Sequence, residues 1–345
     1  MRILLPAHEA GSGGLGASIR GLAAFVPKAL PEGDELVVLG GGRGDGGWQR
    51  AGRRVGRLLH EQLRVARAAR HVDLVHLPDH RPLLLSRTPF LLTVYDVLYL
   101  DYPEWFPPAV VRYKRLMLGL AIRKGPAVIV AGSEYTRGRL LARFPTLPED
   151  RVRVIYPGVW PPEPAGAPPA DGYFLTVSTI EPRKNHLGLL GAFRAARAHG
   201  LRLRWKVVGA RGYSSEPIVA KLHADPDVDV VGWVPDAELE RLWAGARFAV
   251  YPSLAEGFGI PPLEAMARGV PVACSRGSAL DETVGAAAVR VDPADEQGWT
   301  DALLRLDADE EERGRLRQLG RSTAGGFDWQ RAAAAYVDAY RAAVA

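Results

Sequence analysis

Short apolar runs alternate with longer segments of helical periodicity along the whole chain, the pattern of parallel sheets covered by helices on both faces. In the first half, Arg2 to Leu5, Leu36 to Leu39, Leu74 to His76, Phe90 to Val94, Ala127 to Ala131 and Val152 to Ile155 read as strands. Ser133 precedes Glu134 to Phe144 as an N-cap does, its hydroxyl able to satisfy an orphan amide at the helix start. Pro107 and Pro108 mark another helix start. Between Trp160 and Gly172, five prolines mixed with Ala and Gly leave nothing to sustain a helix or a central strand. The alternation then restarts with Tyr173 to Val177, Trp205 to Val208, Val228 to Val231, Phe248 to Tyr251, Val272 to Cys274 and Ala288 to Val291. This predicts an α/β protein of two Rossmann-like, doubly wound domains, 1–160 and 173–328, joined by a linker at 161–172 and facing each other across a cleft. The last helix, Trp329 to Val344, is a candidate to pack back across the first domain.

Length and composition agree with that plan. The 345 residues are about twice the usual single-domain length, so each half can bury its own core. With 47% hydrophobic and 24% charged residues, the chain is neither a disordered polymer nor a membrane bundle. Met1 to Ala7 is an apolar run broken by Pro6, too short for a signal-peptide core, and the single Cys274 lies in the apolar stretch Val270 to Cys274, as a buried thiol would. Both observations predict a cytoplasmic protein.

The net charge of +5 suggests anionic partners without distinguishing them. Eight arginines (Arg43, Arg50, Arg53, Arg54, Arg57, Arg64, Arg67 and Arg70) face only Asp45 and Glu61 in one stretch. Its apolar residues Val55, Leu58, Leu59, Leu63 and Val65 recur at roughly helical spacing, so it reads as an amphipathic helix with a cationic outer face. A solvated surface helix is the simpler account, because Trp48 is its only aromatic anchor; peripheral contact with an anionic membrane is the sharper one.

Three segments carry candidate chemistry. Gly11-Ser12-Gly13-Gly14-Leu15-Gly16 matches G-x-G-x-x-G after the first strand, yet the second strand ends in Gly40, Gly41 and Gly42 where a dinucleotide fold needs an acid for the ribose. What survives is a helix start whose amides can approach a phosphate, or else a simple surface turn. After the strand Tyr173 to Val177 comes Ser178-Thr179-Ile180-Glu181-Pro182-Arg183-Lys184-Asn185, where Arg183 and Lys184 are suited to clamp a diphosphate or to pair with surface acids. After the strand Phe248 to Tyr251 comes Glu256-Gly257-Phe258-Gly259-Ile260-Pro261-Pro262-Leu263-Glu264. Glu256 falls in the loop and Glu264 in the first turn of the helix holding Leu263 to Arg268, with small residues between them to bring amides close to a ligand.

These blocks, with Thr93 to Phe106, Gly132-Ser133-Glu134-Tyr135-Thr136 and Val231-Gly232-Trp233-Val234, resemble the retaining glycosyltransferases of family 4, whose two-domain architecture is called GT-B. The resemblance covers nearly the whole chain. It implies that Glu264 holds the donor ribose, Glu256 binds donor sugar hydroxyls, and Arg183 with Lys184 neutralises the diphosphate leaving group. Gly13, Gly14 and Gly16 would admit that diphosphate, Phe258, Gly259 and Ile260 would line the donor, and the backbone near Trp233 and Val234 would contact the base. The Glu181 to Asn185 block looks most like mannosyltransferase members, which implies transfer of mannose from GDP-mannose to a saccharide or lipid-linked acceptor. The implied partners are a nucleotide sugar and a saccharide or glycolipid, with no nucleic acid, no metal and no other cofactor. One departure stands out: Tyr95-Asp96 replaces the family's frequent His-Asp, and a phenol with a pKa near 10 is a positioning residue rather than a base.

Two metal-like patterns are set aside. Asp225-Pro226-Asp227-Val228-Asp229 reads as a solvent turn before a strand, and His76 and His80 straddle a strand end and Pro78, which denies them a shared face. A nucleotide-sugar epimerase or phosphorylase on the same plan, and a non-catalytic carbohydrate-binding subunit, remain as alternatives.

Overall fold

The computed structural model describes residues 1–7, 14–40, 52–160 and 172–345, the side chains of 52–59 excepted. The chain forms two units, one of residues 1–101, 108–158 and 328–345, the other of 102–107 and 159–327. The glycines Gly11 to Gly13 and nearly all of the expected linker lie outside the described residues, as does the first part of the basic stretch.

In the N-terminal unit the order is β1 (Arg2–Ala7), α1 (Gly14–Ala29), β2 (Glu35–Gly40), α2 (Gly52–Ala68), β3 (Leu74–Leu77), β4 (Phe90–Val94), α3 (Leu98–Asp101), α4 (Pro108–Lys124), β5 (Val128–Ala131), α5 (Glu134–Arg143) and β6 (Val152–Val154). All its strand pairs are parallel, in the order β2-β1-β3-β4-β5-β6. β3, β4 and β5 are buried along their whole length, which is why they read as continuous apolar runs instead of alternating ones. Ser133 caps α5 by accepting a hydrogen bond from the Thr136 amide at 3.0 Å, as its position predicts.

The C-terminal unit repeats the plan with β7 (Tyr173–Val177), α6 (His186–Ala198), β8 (Arg204–Val208), α7 (Glu216–His223), β9 (Val228–Gly232), α8 (Asp236–Ala244), β10 (Ala246–Tyr251), α9 (Ile260–Ala267), β11 (Val272–Ser275), α10 (Leu280–Thr283), β12 (Ala288–Val291), α11 (Glu296–Ala308) and α12 (Glu310–Ala324). Its parallel sheet has the order β12-β11-β10-β7-β8-β9. Phe174, Phe193, Trp205 and Phe248 stack or meet edge-on at its centre, with ring centroids 5.4 to 5.9 Å apart. Cys274 is fully buried in β11, and burial pushes its thiol up to about 12, so it is an inert core residue.

The last helix, α13 (Trp329–Val344), belongs to the N-terminal unit and packs on α1 and on β3, β4 and β5. Its entry depends on two glycines. A Cβ on Gly21 would lie 2.2 Å from the Trp329 ring, and one on Gly158 would lie 2.5 Å from it, so only hydrogen at both positions leaves room for the indole. One helical reading fails in the same unit: Leu63, assigned to the apolar side of the basic helix, is 44% exposed, whereas Val65 is buried.

Each sheet grows in two directions from one pair of neighbours. β2 lies on one side of β1 and β3 on the other, while β8 lies on one side of β7 and β10 on the other. Loops leaving the carboxyl ends of such a pair diverge, and the crevice between them is where open α/β sheets bind ligands. In the C-terminal unit those loops are 178–185 after β7 and 252–259 after β10, the two segments singled out by their chemistry.

Candidate active site

The loop after β7 closes in a short turn of 3-10 helix, Pro182–Lys184, which ends at Asn185 in the left-handed conformation, with φ of 54°. That turn lays Arg183 and Lys184 against the loop after β10, where the Leu254 amide donates to the Arg183 carbonyl at 2.8 Å. Lys184 Nζ donates to Glu256 Oε1 at 2.5 Å, and Arg183 Nη1 donates to Glu256 Oε2 at 3.1 Å. Arg183 Nε also meets Glu181 at 2.6 Å, and Ser253 Oγ donates to Glu256 Oε1 at 2.6 Å. Two cations and two carboxylates thus converge where the sheet changes direction. Lys184 is buried at 7% exposure, and the side chains of Glu256, Glu181 and Arg183 keep only 13%, 14% and 19%.

Burial alone would raise the Glu256 carboxyl, but the Lys184 and Arg183 charges, with hydrogen bonds from Lys184 and Ser253, outweigh it and hold the pKa at about 2. Burial and the Arg183 charge pull Lys184 below its ordinary value while Glu256 opposes them. Both oxygens of Glu256 are engaged, so this carboxylate orients the two cations, a role beyond the sugar-hydroxyl contact that the family resemblance implies. The cations are presented on a rigid support, the arrangement that stabilises charge developing on a leaving group without reorganisation at the moment of reaction. Ser253 and Glu181 completed this cluster unannounced. Ser253 could have been suspected from its place three residues before Glu256, at the end of a strand. Behind the cluster, burial and the nearby Lys184 charge lower His186 to about 3, and this neutral ring lies 3.2 Å from Ser178 Oγ.

Glu264 is not a member of these ion pairs. α9 begins at Ile260, so Glu264 lies in its second turn, not its first, because Gly259 in the left-handed region (φ of 103°) starts the helix one turn earlier than expected. Its carboxylate accepts no hydrogen bond from any described residue; burial, with Glu240 and Asp236 nearby, outweighs Arg268 and pushes it up to about 7. Phe258, Ile260 and Val234 join one apolar cluster at the start of α9, and beside Val234 the Trp233 ring is 63% exposed. Gly259 has no room for a side chain, since a Cβ would sit 2.4 Å from the Leu280 methyl Cδ2.

The other expected residues lie in the N-terminal unit. Gly14 opens α1 and Gly16 is buried within it, whereas Gly13 is outside the described residues. Tyr95 follows β4, its carbonyl accepting from Thr136 Oγ1 at 3.1 Å. Burial first, and then Tyr336, push its phenol well above 10, so it stays protonated. The chain beneath it is a neutral network: His76 bonds Tyr340 Oη and Thr93 Oγ1, each at 2.8 Å, and Thr93 Oγ1 lies 3.3 Å from Tyr336 Oη. Burial lowers His76 to about 3, and both its ring nitrogens are engaged with hydroxyls, so it is an uncharged member of the core. Asp225, Asp227 and Asp229 pair with Arg194, Arg197 and Arg204, respectively.

Comparison with known proteins places this geometry in context. Residues 16–161 match the family described as Glycosyltransferase Family 4, and residues 162–323 match Glycosyl transferases group 1. The chain is 31% identical to O-antigen chain mannosyltransferase B of Escherichia coli, over 83% of this chain and 78% of that one. It is 30% identical to the O-antigen chain mannosyltransferase RfbU of Salmonella typhimurium, over 66% and 62%. Among solved structures, Anabaena HepE in complex with UDP and glucose superposes with a TM-score of 0.78 at 17% identity, covering 99% of both chains. The lipopolysaccharide glycosyltransferase WaaG gives 0.73 at 15%, covering 98% and 99%. At these identities the structural likeness shows the GT-B fold alone.

Proposed function

Because the chain belongs to glycosyltransferase family 4 and carries a preorganised cation pair at the switch point of its C-terminal sheet, we propose that it is a retaining hexosyltransferase whose donor is GDP-mannose and whose acceptor is a saccharide or a lipid-linked saccharide. Its activity as a hexose-transferring enzyme follows from the family and from its mannosyltransferase relatives. The observation that carries the site assignment is the convergence of Arg183 and Lys184 on one buried carboxylate at the carboxyl ends of β7 and β10.

In this reading the donor diphosphate lies against Arg183 and Lys184, while Glu264, whose carboxylate accepts no hydrogen bond from any described residue, accepts hydrogen bonds from the ribose hydroxyls. As the bond from the sugar carbon to the diphosphate oxygen breaks, the negative charge grows on that oxygen and the two cations stabilise it. The acceptor oxygen forms its bond on the same face of the sugar and passes its proton to the departing phosphate oxygen. No side-chain base and no metal is required, which suits a phenol at position 95 whose proton is held tightly.

A screen of nucleoside diphosphates by thermal shift tests the donor: GDP should raise the melting temperature most, by mass action on the folded state. Transfer of mannose from GDP-mannose should yield the α anomer, seen by NMR of the product. A larger shift with UDP or ADP would replace the donor, and an inverted product would overturn the front-face mechanism. Isomerisation of the donor in the absence of any acceptor would identify an epimerase instead.

A further inference from the structure

A second group of polar side chains gathers at the carboxyl ends of β3 and β4, within the N-terminal unit. Leu77 pairs with Leu92 on the last rung between these strands, so His80 and Tyr95 both stand three residues beyond it, and Asp96 follows at once. The group is built around Tyr99, the buried second residue of α3. The His80 ring centroid lies 6.0 Å from that of Tyr99, and Lys114 Nζ, from α4, sits over the same ring at 5.1 Å. Asp96 Oδ1 accepts from the Leu98 amide at 3.1 Å, which folds the loop back and holds this carboxylate at the start of α3.

Most polar atoms of this group have no partner among the described residues. Neither ring nitrogen of His80 makes a hydrogen bond there, Lys114 and Asp96 make no ion pair, and the Tyr99 hydroxyl is buried without a hydrogen bond. The adjoining charges behave differently. Asp79 accepts from the Arg81 amide at 2.9 Å and from Arg81 Nε at 2.7 Å, and Arg81 Nη1 donates to Glu61 at 2.8 Å, so these three engage one another. His80 is half-buried, and burial first, then the Lys114 charge, lower it to about 4 against the opposing pull of Asp79 and Asp96. At neutral pH it is therefore an uncharged ring with one nitrogen that donates and one that accepts.

We propose that His80, Asp96 and Lys114 form a subsite for an uncharged sugar of the acceptor, with His80 the residue that sets its specificity by exchanging hydrogen bonds with neighbouring hydroxyls. A sugar hydroxyl both donates and accepts, so a neutral imidazole, a carboxylate and an ammonium together satisfy two adjacent hydroxyls. A phosphate accepts only, and it would meet Asp96 and Asp79 where Arg81 is already engaged. A metal ion would need Asp79 as a third ligand beside His80 and Asp96, and Arg81 holds both of its oxygens. The inference takes its substrate class from the hexosyltransferase reading and is independent of which nucleotide carries the donor sugar.

Saturation-transfer NMR on the full chain, with the methyl α-glycosides of mannose, glucose and galactose as probes and GDP present throughout, tests it. At least one glycoside should bind. His80→Leu and Asp96→Asn should each weaken that binding about tenfold, the effect of one lost hydrogen bond, while the melting temperature and the GDP-induced shift stay those of the parent. His80→Gln, which keeps a donor and an acceptor, should recover much of what His80→Leu loses. In a transfer assay the same variants should raise the KM for the acceptor and leave the KM for the donor unchanged. Binding that neither substitution weakens, no binding of any of the three glycosides, or tighter binding of glycerol 3-phosphate that depends on His80 would each overturn the proposal. If GDP does not shift the melting temperature while glycoside binding still depends on His80, the donor assignment fails and the subsite stands.

Discussion

The C-terminal unit buries Lys184 and most of Glu256 and Arg183 at the ends of its central strands, whereas the N-terminal unit fills its centre with neutral His76, Thr93, Tyr336 and Tyr340. A buried ion pair is weak support for stability, since desolvation can exceed the attraction, while breaking one leaves a stranded charge. A neutral network in which each group finds a partner carries no such penalty and rigidifies the core around it. The same fold thus serves two ends. One copy concentrates charge at the ends of its strands, and the other keeps its centre uncharged.

The sharpest way to break the comparison is to remove one charge from the C-terminal cluster. Lys184→Ala should abolish transfer and destabilise the protein by about 3–5 kcal/mol, because Glu256 loses its closest partner in a water-poor site. The Lys184→Met/Glu256→Gln double variant should recover much of that stability and remain inactive, which a denaturation curve and a transfer assay would separate. If the double variant transfers sugar, the cluster is structural. Gly259→Ala comes next, since its left-handed backbone and the contact with Leu280 should together take roughly 2–4 kcal/mol from stability, read as a lower urea midpoint.

Smaller effects sharpen the contrast through pH. Glu264 has a folded pKa of about 7, above its ordinary 4.5, so the stability from its bound proton is complete below about 4.5 and is lost as the pH rises through 7. Glu264→Gln should remove that loss and make the protein more stable at pH 8 by on the order of 2 kcal/mol. It should also flatten the pH dependence of GDP affinity, which in the parent should weaken as the pH falls below 7. In the N-terminal unit, Tyr340→Phe leaves a ring nitrogen of His76 without its partner and should cost about 1–2 kcal/mol. Because His76 stays neutral down to about pH 3 in the folded state, this loss should be the same at pH 7 and pH 9. A strong pH dependence there would show that the network carries charge.

Much of the architecture was legible in residue order, and the reason is local. Phe90–Val94, Tyr173–Val177 and Ala288–Val291 are strands at the bounds their apolar runs predict, and Ser133 caps its helix, because strand burial and helix capping depend on residues a few positions apart. The two loops at the strand ends were legible for the same reason. Partners across the chain were not. Lys184 meets Glu256, 72 positions later, only because β10 inserts beside β7 in the sheet. Likewise, Trp329 reaches Gly21 and Gly158 only once α13 returns to the first unit. Periodicity also placed Leu63 on an inner face, but the neighbours that close α2 leave it outside with Leu84, Leu85 and Leu116. The sequence alone determined where strands, helices and reactive loops begin and end, since short-range sterics and hydrophobic periodicity suffice for that. Strand order and helix docking, which depend on contacts distant in the chain, decided which charges meet and which apolar groups remain exposed.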